Sequence, residues 1–157
     1  MTPSERIRLS DYQALAEFRY QIRRFLRFSE AAARMAGLEP HQHQLLLAVK
    51  GLPDGVPASI GEVAERLQIQ HHSTVELVDR MVQRGYVHRR RGQADRRQVF
   101  LQLTAKGERI LRELSRHHAG ELRTLGPELV VSLRRMIASL DRGSGSKAFR
   151  SAGAKAR

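Results

Sequence analysis

Nine residues in the middle of the chain, Arg89-Arg90-Arg91-Gly92-Gln93-Ala94-Asp95-Arg96-Arg97, carry five guanidinium groups and one carboxylate. Before them stands Tyr86-Val87-His88. After them stands Val99-Phe100-Leu101-Gln102-Leu103, which alternates with period two as a half-buried strand does. The arrangement predicts a hairpin with Gly92 at its bend. Like charges this close repel one another, so the bend gains from an anion placed opposite it. A nucleic-acid backbone is such an anion. The plain alternative is a solvated loop.

Upstream lies a second set of polar groups, Gln70, His71, His72, Ser73, Thr74 and Glu76. Hydroxyls and imidazoles can donate to or accept from base edges, and a carboxylate can accept from cytosine N4. Arg80 and Gln83 stand further along, placed to touch phosphate or to pair with Asp79. His71-His72 also invites a metal reading. Adjacent residues on a helix point about 100° apart, however, so they do not readily share one ion. His41 and His43 lie near Glu39 and are candidates to line a ligand cleft. His117-His118 follow much later. No two histidines stand four apart, the spacing a helical metal pair requires.

These groups need elements to hold them. Ile60–Leu67 and His71–Arg84 read as two helices joined by about three residues. Ile60, Val63, Ala64 and Leu67 would pack on Val75, Val78, Met81 and Val82, with Ala64 allowing a close crossing. This is helix-turn-helix spacing, with the second helix free to enter a major groove. Helix, turn, helix, strand, basic bend, strand is the order of a winged helix-turn-helix. A long helix precedes it, opened by a capping box of Ser10 and Gln13, striped by Leu15, Phe18, Ile22, Phe25, Leu26 and Ser29, and ended at Gly37. Pro40 suits a helix first turn, with Leu45, Leu46, Leu47 and Val49 as core. Ser59 with Glu62 makes a second capping box. Thr104 caps a further helix, Gly126-Pro127 breaks it, and a last helix runs to about Leu140.

The balance of charge agrees with an anionic partner. Of the net +12, the hairpin 88–97 and the tail 142–157 hold +9 in 26 residues. There is no cysteine, which excludes disulfides and thiolate zinc sites. No apolar run approaches the roughly 18–20 residues of a membrane span. Met1 to Ser10 has no apolar block and does not read as a secretory signal, so a cytoplasmic location is expected. Enzyme chemistry finds no support: no Gly-rich phosphate loop, no Cys nucleophile, no Gly-x-Ser-x-Gly. No cofactor and no metal is expected.

Three segments carry a family resemblance: Ser59-Ile60-Gly61-Glu62-Val63-Ala64-Glu65-Arg66-Leu67, Val78-Asp79-Arg80-Met81-Val82-Gln83-Arg84-Gly85-Tyr86-Val87, and Asp95-Arg96-Arg97-Gln98-Val99-Phe100-Leu101-Gln102-Leu103-Thr104-Ala105-Lys106-Gly107. They resemble the MarR family of bacterial transcription regulators over roughly residues 11–141. The last segment matches the family's wing signature, Asp-x-Arg, alternating apolar residues, then Leu-Thr-x-x-Gly. The resemblance implies a homodimer with interlocking terminal helices and a palindromic duplex-DNA operator. It also implies repression relieved by a small effector. It gives Asp95 and Arg97 the part of shaping the wing. As an exposed pair they would add only about 0–1 kcal/mol, so their value would lie in aiming Arg91 and Arg96 at DNA. Some members of the family sense zinc, which leaves a zinc-responsive regulator as one alternative. A sequence-tolerant architectural nucleic-acid binder is another.

The expected fold is therefore mainly α with a small β-wing. A winged helix-turn-helix domain spans residues 1–141, with dimerisation helices at about 11–36 and 105–141 and a DNA-binding lobe at about 40–104. A basic tail, residues 142–157, is expected to be disordered. The DNA-binding residues expected on the second helix are Gln70, His71, His72, Ser73, Thr74, Glu76 and Arg80. Those expected on the wing are Arg91, Arg96 and Arg97.

Overall fold

A computed structural model describes residues 7–92 and 98–144. The element order is α1 (Leu9–Met35), α2 (Pro40–Lys50), α3 (Ile60–Leu67), α4 (His71–Gln83), β1 (Val87–Arg91), β2 (Val99–Leu103) and α5 (Ala105–Ser144). The chain divides into two compact units, residues 29–118 and a second made of residues up to Phe28 together with those from Ala119 onward. Helices α1 and α5 each contribute to both.

The unit of residues 29–118 is built on an apolar core. Leu38, Leu45, Leu46, Val63, Val78 and Met81 are almost wholly buried there, and Val87, Leu101, Leu103, Leu111 and Leu114 join them. Expected core residue Leu47 instead stands 45% exposed. Helix α1 ends with Gly37 at φ +77°, its N–H donating to the Arg34 carbonyl and that of Leu38 to the Ala33 carbonyl. That pair of bonds is the Schellman closure, which favours glycine because a left-handed residue needs no Cβ there. The start of α2 holds a reciprocal cap that the sequence reading did not identify. Glu39 is the N-cap, and its N–H donates to Gln42 Oε1 at 3.1 Å. Ser59 caps α3, accepting the Glu62 N–H at 3.1 Å, but the expected capping box is half made: the Ser59 N–H donates to the Pro57 carbonyl and the Glu62 carboxylate accepts from Arg66. Gln68 takes the left-handed conformation, φ 53°, and turns the chain towards α4.

The wing is a two-stranded antiparallel ladder in which Val87 pairs with Leu103 and Arg91 with Val99. It begins earlier than the sequence suggested. Arg89, Arg90 and Arg91 are strand residues, not bend residues, and Gly92 closes the ladder by donating to the Gln98 carbonyl at 2.9 Å. Ala58 and Ser59 extend the sheet: Leu101 N–H donates to the Ala58 carbonyl, and Ser59 bridges Phe100. Thr104 then starts α5, accepting the Gly107 N–H at 3.1 Å. Gly107 passes so near β1 that a Cβ there would lie 2.2 Å from the Tyr86 carbonyl oxygen.

Two expectations for the other unit fail. Ser10 is not an N-cap; it lies inside α1, and Asp11 takes the Arg8 N–H at 2.9 Å instead. Gly126-Pro127 does not end a helix, because α5 runs unbroken for 40 residues with Pro127 inside it. Asp11 also accepts from Ser139 Oγ, and Arg24 pairs with Glu128 at 2.7 Å. The bond from Ser139, and then those from Arg8, hold the Asp11 carboxyl down at about 2. The buried residues here are largely polar, Gln21, Ser132 and Ser139 beside Leu125. Many large apolar side chains stay exposed, among them Leu122, Val130, Val131, Leu133 and Ile137.

Candidate nucleic-acid interface

Helix α4 has one apolar and one polar face. Thr74, Leu77, Val78 and Met81 are buried at i, i+3, i+4 and i+7. His72, Glu76, Arg80 and Gln83 fall on the opposite stripe, and all four are exposed. Gln70 and His71 are exposed at the helix start, and Ser73 is half-buried. Gln70 is the N-cap but makes no side-chain capping bond, so the first-turn amides face outward without an internal acceptor from that residue.

One candidate reader of bases is corrected by this geometry. Thr74 is 0% exposed and its Oγ1 donates to the Gln70 carbonyl at 3.1 Å, so it serves the core and the helix start. Its position, three and four residues before Leu77 and Val78, is a core position; its polar side chain masked that.

The wing is tied to α4 by a long-range ion pair. Arg89 Nη2 lies 2.7 Å from Asp79 Oδ1. Asp79 is thus engaged by the wing, not by Arg80 or Gln83 as the sequence suggested, and Arg89 has a bracing task beyond adding charge. Period-two alternation places Arg91 on the same strand face as Arg89, with Arg90 and His88 on the other. His88 Nε2 and Gln102 Oε1 lie 3.2 Å apart across the ladder. Arg91 is exposed. Asp95, Arg96 and Arg97 lie outside the described residues.

A second cluster at the far end of α4 escaped the sequence reading. Arg84 Nη1 donates to Gln42 Oε1 at 2.6 Å and Nη2 to the Gly37 carbonyl at 2.7 Å. The guanidinium sits 5.2 Å from the Tyr86 ring centroid, and Lys106 Nζ sits 4.3 Å from it. Lys106 also donates to the Arg84 carbonyl at 2.8 Å. Partners 42 and 47 residues away leave no local sequence signal.

The two candidate cleft histidines have different surroundings. His41 is exposed. His43 is 2% exposed, with its ring stacked on His118 at 4.8 Å between centroids and 10° between planes. Burial, and then the neighbouring imidazole, hold His43 down at about 4, so it is neutral near pH 7. Among the described residues, no group of three or more His, Cys, Asp or Glu is placed to hold a metal ion.

A helix pair of this spacing followed by a two-stranded wing defines a winged helix-turn-helix protein. Residues 36–98 match the profile of the MarR family, and over that segment the chain is similar to the family. A curated relative, "Uncharacterized HTH-type transcriptional regulator YsmB" of Bacillus subtilis (strain 168), is 38% identical over 56 residues. That alignment covers 36% of this chain and 38% of YsmB, so the chain matches little more than a third of that relative. Among solved structures, AbsC from Streptomyces coelicolor, a MarR family transcriptional regulator, has a TM-score of 0.68 at 19% identity. The match covers 95% of this chain and 99% of AbsC. The transcriptional repressor CouR bound to a 23-mer DNA duplex has a TM-score of 0.59 at 26% identity, covering 78% of this chain and 87% of CouR.

Proposed function

We propose that this protein is a sequence-specific, DNA-binding transcription regulator of the cytoplasm, a homodimeric repressor that binds a palindromic operator and responds to a small effector. The observation that carries the reading is the exposed stripe His72, Glu76, Arg80 and Gln83 on α4, beside a strand bearing three consecutive arginines. In this reading Gln70, His71, His72, Ser73 and Glu76 read bases in the major groove, and Arg80 meets phosphate. The wing, through Arg91, Arg96 and Arg97, reaches the adjacent minor groove, with Asp95 and Arg97 shaping its tip. A dimer would present two such helices about 34 Å apart, one turn of duplex.

Two features support the wider reading. The exposed apolar side chains of α5 (Val130, Val131, Leu133 and Ile137) are too many for an ordinary monomer surface and suit a partner chain. CouR, solved both on duplex DNA and with p-coumaroyl-CoA, is a repressor with a small-molecule ligand. An effector here would act by binding better to a dimer whose α4 helices are badly spaced for the operator. The region around His41 and His43 is one place for it.

Fluorescence anisotropy on duplexes selected from the protein's own genome tests the proposal. A shared palindrome and a steep fall in affinity with salt are expected, because bound phosphates release counterions. Binding without a motif would favour an architectural binder. Salt-insensitive binding would refute the electrostatic account.

A further inference from the structure

Helix α4 is held along one face by the core, and polar ties join it to its surroundings at two places, Asp79 to Arg89 of the wing and a cluster around Arg84 at its C-terminal end. Arg84 follows its last residue. Its two terminal nitrogens grip Gln42 Oε1 and the Gly37 carbonyl, at 2.6 and 2.7 Å. Both acceptors are themselves fixed. Gln42 Oε1 also accepts the Glu39 N–H within the α2 cap, and Gly37 is locked by the Schellman closure of α1. Arg84 is locked too. Gly85, φ +70°, ends α4 with the same pair of bonds, to Val82 and Met81. The Tyr86 ring lies beneath the guanidinium, and Lys106 holds the Arg84 carbonyl. A planar fork bonded to two rigid acceptors allows little rotation.

We infer that Arg84 is the positioning residue that fixes the angle of the reading helix, and with it the operator half-site spacing that the protein accepts. The inference rests on the DNA-reading function proposed above. Its geometry is that of a lever. The 13 residues of α4 span roughly 20 Å at 1.5 Å per residue. A tilt of roughly 10° at the Arg84 end moves the His71 end by about 3 Å, close to one base-pair step. The anchor lies on the α1–α2 turn, so any rearrangement of that turn reaches the bases through Arg84. The Asp79–Arg89 pair binds α4 to the wing, and the two then move together.

The test is selection from a pool of random-sequence duplexes, run in parallel with wild type, Arg84→Met and Arg84→Lys, with a thermal melt of each. Methionine keeps an apolar stem over Tyr86 and removes both hydrogen bonds. Lysine keeps a cation but cannot span two acceptors as a fork, and it serves if the methionine variant fails to fold. Wild type is expected to return one half-site at a single spacer length. The variants are expected to return the same half-site at two or more spacer lengths. The Kd penalty for a spacer one base pair off should fall from about tenfold or more to about threefold or less. The same single spacer in both variants, or a loss of affinity uniform across spacers, overturns the inference while leaving the function standing. A wild type that selects no paired half-sites overturns the function, and the inference with it.

Discussion

His43 shows how one buried side chain couples the fold to pH. Its ring is 98% out of solvent against His118, and its Nδ1 has no hydrogen-bond partner among the described residues. Folding lowers its pKa from 6.5 to about 4. Between those values the unfolded chain takes up a proton that the folded chain refuses. Stability is therefore complete above pH 6.5 and falls as the pH drops towards 4, by about 3 kcal/mol in all. Denaturant titrations at pH 7 and pH 4.5 should show most of that loss in wild type. His43→Phe keeps a stacked ring with nothing to protonate and is expected to flatten the slope. A slope that survives in His43→Phe belongs to other groups. Thr74 carries the complementary lesson about reading residues. Chemistry placed it among the base readers, but its phase on the helix placed it in the core, and for a single side chain phase outranks chemistry.

At the scale of elements, the helix pair, its caps and the wing were legible because each is written in neighbouring residues: Ser59 with Glu62, Gly37 and Gly85 past helix ends, alternation through Val99–Leu103. What could not be read was long-range. Asp79 with Arg89, and Arg84 with Gln42 and Gly37, join elements whose residues carry no mark of each other. The strongest local signal that failed is Gly126-Pro127. Proline inside a helix lacks the N–H that would bond the carbonyl four residues back, at a typical cost of about 3 kcal/mol, yet α5 continues through it. Packing along a 40-residue helix outweighs one missing bond. Pro127→Ala is accordingly expected to raise the melting temperature, with a gain of about 1–3 kcal/mol. Helical ellipticity at 222 nm should not fall. A lowered melting temperature would mean that the bend itself is used in packing.

For the whole molecule the governing fact is an unequal division of apolar surface. Residues 29–118 bury a continuous core, while the helical unit from the two ends buries Gln21, Ser132 and Ser139 and leaves Val131 48% exposed and Ile137 50% exposed. Analytical ultracentrifugation is expected to find a dimer at micromolar concentration. Val131→Glu, which alters an exposed position and no core contact, should yield a monomer with an unchanged far-ultraviolet spectrum. A dimer that withstands this change would move the interface elsewhere. The charge map had a wider reach than the structure, because the wing tip and the tail beyond Ser144 lie outside the described residues, while residues 142–144, expected in a disordered tail, continue α5.

The tyrosine beneath Arg84 has a practical consequence. The chain has no tryptophan and three tyrosines, of which Tyr12 and Tyr20 are more than half exposed and Tyr86 is 7% exposed. Near-ultraviolet circular dichroism, which favours rings held rigidly in asymmetric surroundings, is therefore expected to be dominated by one chromophore, flanked by two cations at the C-terminal end of α4. The protein carries an unlabelled optical gauge of the end of α4, and titrations with an effector transparent near 280 nm can be followed through it without any dye.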